Sequence, residues 1–192
     1  ARTEGMSDYY DEFVGWLYVA DCQIDYPIMR AKDNDYYLYR TVNGVYDKLG
    51  SLFMDYRNAG DFSDHGTIVY GHNMNSGKMF GDIRFMRNNA GFNAHKYGWL
   101  FTEDTVYRID FFALSVLSGY DILYNLAYFV PLENPEFLER IVTNAHFRNK
   151  DVEVTEDDYL IALSTCAGDF EEARALLTGK LVPMKSETDF IR

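Results

Sequence analysis

From its amino end the chain is a series of short apolar segments separated by polar turns. Eight of them are rich in β-branched and aromatic residues: 16–19, 26–29, 51–56, 67–70, 99–102, 106–118, 159–165 and 175–182. Most are bounded by Gly, Asn or Asp, and that combination predicts strands. The segment 106–118 alternates in part, with Val106, Arg108 and Asp110 set against Tyr107, Ile109 and Phe111, as one long bent strand would. Helical spacing is rarer. Met79, Phe80, Ile83 and Met86 share one face, and the polar stretch 88–91 ends that pattern. Asn134, Pro135 and Glu136 form a helix start, after which Phe137, Leu138, Ile141, Val142 and Ala145 line one side. Ser7 caps a short helix through about Val14, with Asp8 in its first turn and Gly15 at its end. Strands outnumber helices and no βαβ alternation occurs. The expectation is a mostly antiparallel β-barrel or rolled sheet decorated by a few helices.

Length and composition narrow this further. With 192 residues, four prolines, no internal repeat and no linker tract, the chain reads as one domain, 1–192, with 1–15 as an N-terminal helical appendage. Hydrophobic residues make up 47% of the chain and aromatics 17%, which is ample for a core and excludes intrinsic disorder. The net charge of −12 fits neither a nucleic-acid backbone nor an anionic membrane face. No apolar run approaches the ~20 residues of a membrane-spanning helix, and residues 1–11 lack a leader pattern. The residues given read as a soluble domain. They begin at Ala1 rather than Met, so an upstream segment, and any anchor in it, would lie outside them.

Two cysteines are too few for a disulfide scaffold or a structural zinc site. Cys166 ends an apolar strand just before the turn 167–169, where rigid scaffolds present reactive side chains. A thiol there becomes a nucleophile if its surroundings favour the thiolate; otherwise it simply packs. Cys22 has no basic neighbour and fits the packing role. Among four histidines, His65 and His95 lie in polar turns and His146 among solvated residues. His72 differs, following the strand 67–70 after a single Gly; a proton carrier and a plain turn residue are equally compatible with that spacing. Arg174 lies eight residues past Cys166, so a hairpin would bring the two to one edge. It could steady an oxyanion, or form an ordinary salt bridge to Glu171 or Glu172. Glu156, Asp157 and Asp158, like Glu171 and Glu172, read as solvated surface, and no metal-ligand set emerges.

Leu163-Ser164-Thr165-Cys166 followed by Arg174, with Tyr70-Gly71-His72-Asn73 upstream, resembles the sortases. Segments 14–17, 24–28, 33–38 and 50–58 are similar to the class B branch, as is the helix near 134–147. The resemblance implies a closed barrel of about eight strands, with an N-terminal helical appendage and a helix in the long insertion before the cysteine strand. It implies a transpeptidase on the outer face of a Gram-positive cell, anchored through an upstream segment. Cys166 would be the nucleophile, His72 the general acid/base and Arg174 the oxyanion partner. Asn34, Leu38, Tyr124 and Ser164 would line the peptide groove. Some relatives carry an acid two positions past the cysteine; Gly168 stands there, and no acid is assigned. No metal or cofactor is implied.

The implied donor is the C-terminal sorting signal of secreted surface proteins, cleaved after Thr. The implied acceptor is a peptidoglycan precursor or cross-bridge amine, or a pilin lysine. Two alternatives are weighed against this. A papain-like peptidoglycan hydrolase would place its cysteine early, at a helix N-terminus, with the His later. A non-catalytic wall-binding β-domain would not need Cys166.

Overall fold

The computed structural model describes residues 10–128 and 136–184, together with residues 3, 5 and 6; for 126–128 it describes the backbone alone. Nine strands form in chain order: β1 Phe13–Val19, β2 Asp25–Met29, β3 Leu52–Met54, β4 Gly66–Tyr70, β5 Tyr97–Phe101, β6 Val106–Ser118, β7 Phe147–Arg148, β8 Leu160–Cys166 and β9 Ala173–Pro183. Their order across the sheet is β5-β1-β2-β3-β4-β8-β9-β6-β7, and β5 also pairs with β6. That pairing closes a barrel of eight strands. β6 bends at a bulge between Phe111 and Ala113; its first half pairs with β5, and its second half pairs with β7. Most ladders are antiparallel. β2–β3 and β4–β8 are parallel.

Side chains alternate across a strand, so each strand contributes to two layers. Leu17, Ile28, Leu52, Val69, Leu100, Ile109, Phe111, Ile161, Leu163 and Leu177 fill the barrel. Ile68, Phe112, Leu160, Ala162 and Leu176 face outward, where Leu123, Phe137 and Ile141 from the insertion between β6 and β7 cover them. Both faces of β8 are therefore buried, which is why residues 160–163 are apolar without a break. β4 and β8 run in parallel to one rim, and β9 starts from that rim. Ends of three neighbouring strands thus meet there.

The eight expected strands all form, within a few residues of their expected limits. The two-residue β7 carries too short a pattern to be read. The insertion helix α2 spans Glu136–Thr143 and buries Phe137 and Ile141 as expected; its expected caps, Asn134 and Pro135, lie outside the described residues. Of the helix expected from Ser7, residues 7–9 also lie outside them, and Phe13 to Gly15 belong to β1. The pattern over 79–86 becomes a 3-10 helix, Gly81–Met86. Asn88 does not end a helix but begins one: its Oδ1 accepts from the Gly91 N–H at 2.9 Å, capping α1, Asn89–Ala94. Short 3-10 helices at Tyr36–Tyr39 and Ile122–Tyr128 have no periodicity long enough to be seen in sequence.

Candidate active site

Cys166 is the last residue of β8 and the exposed one in a strand otherwise buried. Its register partner on β9 is Arg174. Directly opposed residues share a face with Cβ atoms ~5 Å apart, so thiol and guanidinium stems are neighbours. The turn between them is held by Ala167 N–H to Ala173 O at 2.8 Å and Ala173 N–H to Phe170 O at 3.1 Å.

His72 reaches the same place from β4. Tyr70 pairs in parallel with Ser164. Gly71 N–H then donates to Ser164 O at 3.1 Å, and Asn73 Nδ2 donates to Cys166 O at 2.8 Å. These two bonds bracket His72 and hold its backbone at the end of β8. Gly71 is required for the approach, since a Cβ there would lie 2.5 Å from the Leu52 side chain and 2.8 Å from Phe80. The imidazole Nε2 is 2.7 Å from the Leu38 carbonyl. A carbonyl only accepts, so Nε2 carries the proton in this contact, and Nδ1 is the nitrogen left to exchange one.

Arg174 forms the expected salt bridge, to Glu172. It faces Cys166 across the hairpin, and its Nη2 also pairs with Glu172 Oε2 at 2.8 Å while Nη1 donates to Ala173 O at 3.2 Å. Five guanidinium N–H donors leave capacity for a further acceptor.

A polar network beneath the rim joins the expected groove residues. Asp55, fully buried, receives Arg57 in a two-pronged bond at 2.7 Å on each oxygen, the Arg57 N–H at 3.0 Å, the Tyr70 hydroxyl at 2.8 Å and Asn34 Nδ2 at 3.1 Å. Asn34 Oδ1 in turn accepts the Tyr56 N–H at 3.0 Å. Arg57 Nη2 also donates to Tyr124 O at 3.0 Å, and the Tyr124 hydroxyl meets Ser164 Oγ at 2.9 Å. Burial alone would raise the Asp55 carboxyl, but Arg57 and Tyr70 together hold it below the usual range. Burial pushes the Tyr124 phenol up to about 12, against the opposing pull of its Ser164 bond and the Arg174 charge. Burial and the Asp55 charge raise Tyr70 as well. Both phenols therefore stay protonated at neutral pH. Arg57, Tyr70, Tyr124 and Arg174 line a cleft of about 610 Å³ along the outer face of the sheet.

The structure thus brings Cys166, His72, Arg174, Asn34, Leu38, Tyr124 and Ser164 to one rim. Sequence reasoning missed Asp55, Arg57 and Tyr70. The available signal was an acid at position 55 directly after the wholly buried 52–54, where a carboxylate needs a partner. Asp169, the acid one position past Gly168, is bound by Arg87 Nη2 at 2.6 Å. Asp158 is no solvated bystander: it pairs with Lys180 at 2.9 Å. Among the described residues no group of three or more His, Cys, Asp or Glu could hold a metal ion. Among them, too, no helix is long and apolar enough to cross a membrane.

A thiol at the end of a barrel strand, rather than at a helix N-terminus, is the layout of a sortase-type cysteine transpeptidase and not of a papain-like hydrolase. No protein-family model matches the chain. It is 36% identical over 179 residues to Sortase B of Listeria monocytogenes, covering 89% of this chain and 70% of that protein. The crystal structure of sortase B from Bacillus anthracis superposes with a TM-score of 0.81 at 34% identity, covering 95% of this chain and 84% of the other. Sortase B of Clostridium perfringens gives a TM-score of 0.86 at 26% identity, covering 93% and 98%. The chain belongs to the sortase B family. It is a cysteine transpeptidase associated with the cell envelope, acting on sorting-signal peptides.

Proposed function

We propose that residues 1–192 form a single catalytic domain that cleaves the C-terminal sorting signal of surface proteins after Thr. It then joins the new carboxyl end to a cell-wall amine on the outer face of the membrane. The carrying observation is the Cys166–Arg174 register pair beside the parallel Tyr70–Ser164 pair. Cys166 Sγ attacks the Thr carbonyl carbon as the thiolate, its proton held on His72 Nδ1. The oxyanion forms against Arg174, whose charge and remaining N–H donors oppose it. As the C–N bond breaks, His72 gives its proton to the leaving amine, and a thioacyl-enzyme remains. An incoming amine then bonds the acyl carbon, loses its proton to His72 and expels the Cys166 thiolate. Exchanging one amide through two thiol steps is the advantage of covalent catalysis. Asn34, Leu38, Tyr124 and Ser164 form the peptide groove, held by Asp55 and Arg57.

The test is cleavage of a library of sorting pentapeptides, with and without an amine. Wild-type protein should cleave one of them, and Cys166→Ala should cleave none while keeping its circular dichroism. Turnover by pure Cys166→Ala would overturn the assignment.

A further inference from the structure

Beside His72, on the side away from Arg174, lies a group of exposed rings that the chemistry above does not use. Tyr39 packs against His72 with centroids 5.3 Å apart, and Tyr46 stacks on Tyr39 at 6.5 Å and 25°. Tyr39 is 46% exposed and Tyr46 69%. These rings are held in place by the backbone. Arg40 and Tyr46 form an antiparallel bridge, Asp47 N–H donates to Tyr39 O at 3.0 Å, and Thr41 N–H donates to Val45 O at 2.8 Å. Gly44, at a φ of 75°, makes the tight turn between them. Large rings kept rigid and wet mark a surface that meets a partner.

We infer that Tyr39 and Tyr46 form the entry site for the amine acceptor, binding it as a primary ammonium against their faces before it reaches His72. This rests on the proposed two-step transfer. Strand order supports it. The segment carrying the rings is tied to the start of β3 by the Ser51 N–H to Tyr37 O bond at 3.0 Å. The rim then runs from β3 to β4, β8 and β9. In that order come Tyr46, Tyr39, His72, Cys166 and Arg174, with the 610 Å³ cleft along the outer face of the sheet, from Arg57 and Tyr70 to Arg174. A donor peptide lying along the cleft and against Leu38 still leaves the faces of Tyr39 and Tyr46 exposed, and the acceptor must surrender a proton to His72. The tyrosine faces suit a cation. In the same ring group Arg40 already lies over Tyr36, its Cζ 4.6 Å from the ring centroid. The net charge of −12 adds long-range attraction for an ammonium. The ammonium gives one proton to solvent as it leaves the rings, and the cation-binding contact is lost with the charge; the neutral amine then bonds the thioacyl carbon, gives a second proton to His72, and the C–S bond breaks to release the Cys166 thiolate.

Aminolysis of the thioacyl-enzyme by triglycine tests this, run with a cleavable sorting pentapeptide at saturation. Tyr46→Ser should raise the triglycine KM by ~3- to 5-fold, the size of a surface cation–ring contact. It should also divert product toward hydrolysis and leave the rate of thioacyl formation as in wild type. Tyr46→Phe, which keeps the ring face, should behave as wild type. Tetramethylammonium, a cation with no N–H to lose and so no nucleophilic lone pair, should compete with triglycine and not with the donor peptide. An unchanged triglycine KM in Tyr46→Ser would overturn the inference. So would a shift in donor-peptide KM instead, which would make the rings part of the peptide groove. If wild-type protein forms no thioacyl adduct, the transfer reading itself fails; a normal adduct with an insensitive acceptor KM removes the tyrosine site alone.

Discussion

The two cysteines of this chain occupy opposite kinds of place. Cys22 follows β1 in a turn, with its Sγ directed at the Val19 carbonyl at 3.4 Å and a core around it. Burial pushes its thiol up to about 11, and the charges of Asp82 and Asp21 act the same way. Cys166 stands exposed at a strand end, opposite Arg174 on β9 and with its carbonyl bonded by Asn73, the chain neighbour of His72. The side chain is the same; its neighbours make one a small hydrophobe and the other a candidate nucleophile. What separates them is sheet register, which joins residues far apart in the chain, and not local sequence.

Breaking the comparison at its strong end gives the largest effect. Cys166→Ala should reduce peptide cleavage by at least ~10⁴-fold, whereas Cys22→Ser should leave the rate within about twofold; steady-state kinetics on both variants decide it. Thiol labelling comes next. At pH 8 a thiol pushed to about 11 is only ~10⁻³ ionised. Cys22 should therefore react slowly with iodoacetamide, gaining tenfold per pH unit, while Cys166 reacts first. Equal, slow labelling of both would favour a binding domain over an enzyme. Arg174→Lys keeps the charge and loses the planar fork. A fall in kcat of ~10²-fold is expected, and a near-normal rate would remove Arg174 from the mechanism.

The smallest effect concerns the support beneath the rim. Asp55→Asn breaks a buried ion pair and should cost ~3 kcal/mol in urea unfolding. The wild-type carboxyl sits lower when folded than when unfolded, so its contribution is present above the ordinary carboxylate range. That contribution is lost as pH falls through the range and below it. The variant should therefore lose less stability than wild type on acidification, as followed by urea midpoints at neutral and acid pH.

Sequence carried the strands because alternation and apolar runs are local, and it carried the Cys166–Arg174 pairing because a short hairpin allows little choice. It carried the groove residues only through family resemblance. Their physical link, Asp55 and Arg57, stayed hidden, since the partners lie 21 residues away at Asn34 and 67 away at Tyr124. Asn88 was read in the wrong sense because asparagine both stops helices and caps them. Likewise Gly15, a plausible helix end, sits where β1 shifts register.

The central claim is that one thiol, set between His72 and Arg174, takes the acyl group. Mass spectrometry of the protein mixed with a cleavable sorting pentapeptide and quenched in acid tests it most directly. The account predicts a thioacyl adduct of the peptide's N-terminal fragment on Cys166, absent from Cys166→Ala and slow to form in Arg174→Lys. An adduct on Cys22, or cleavage that proceeds with no adduct on Cys166, would contradict it.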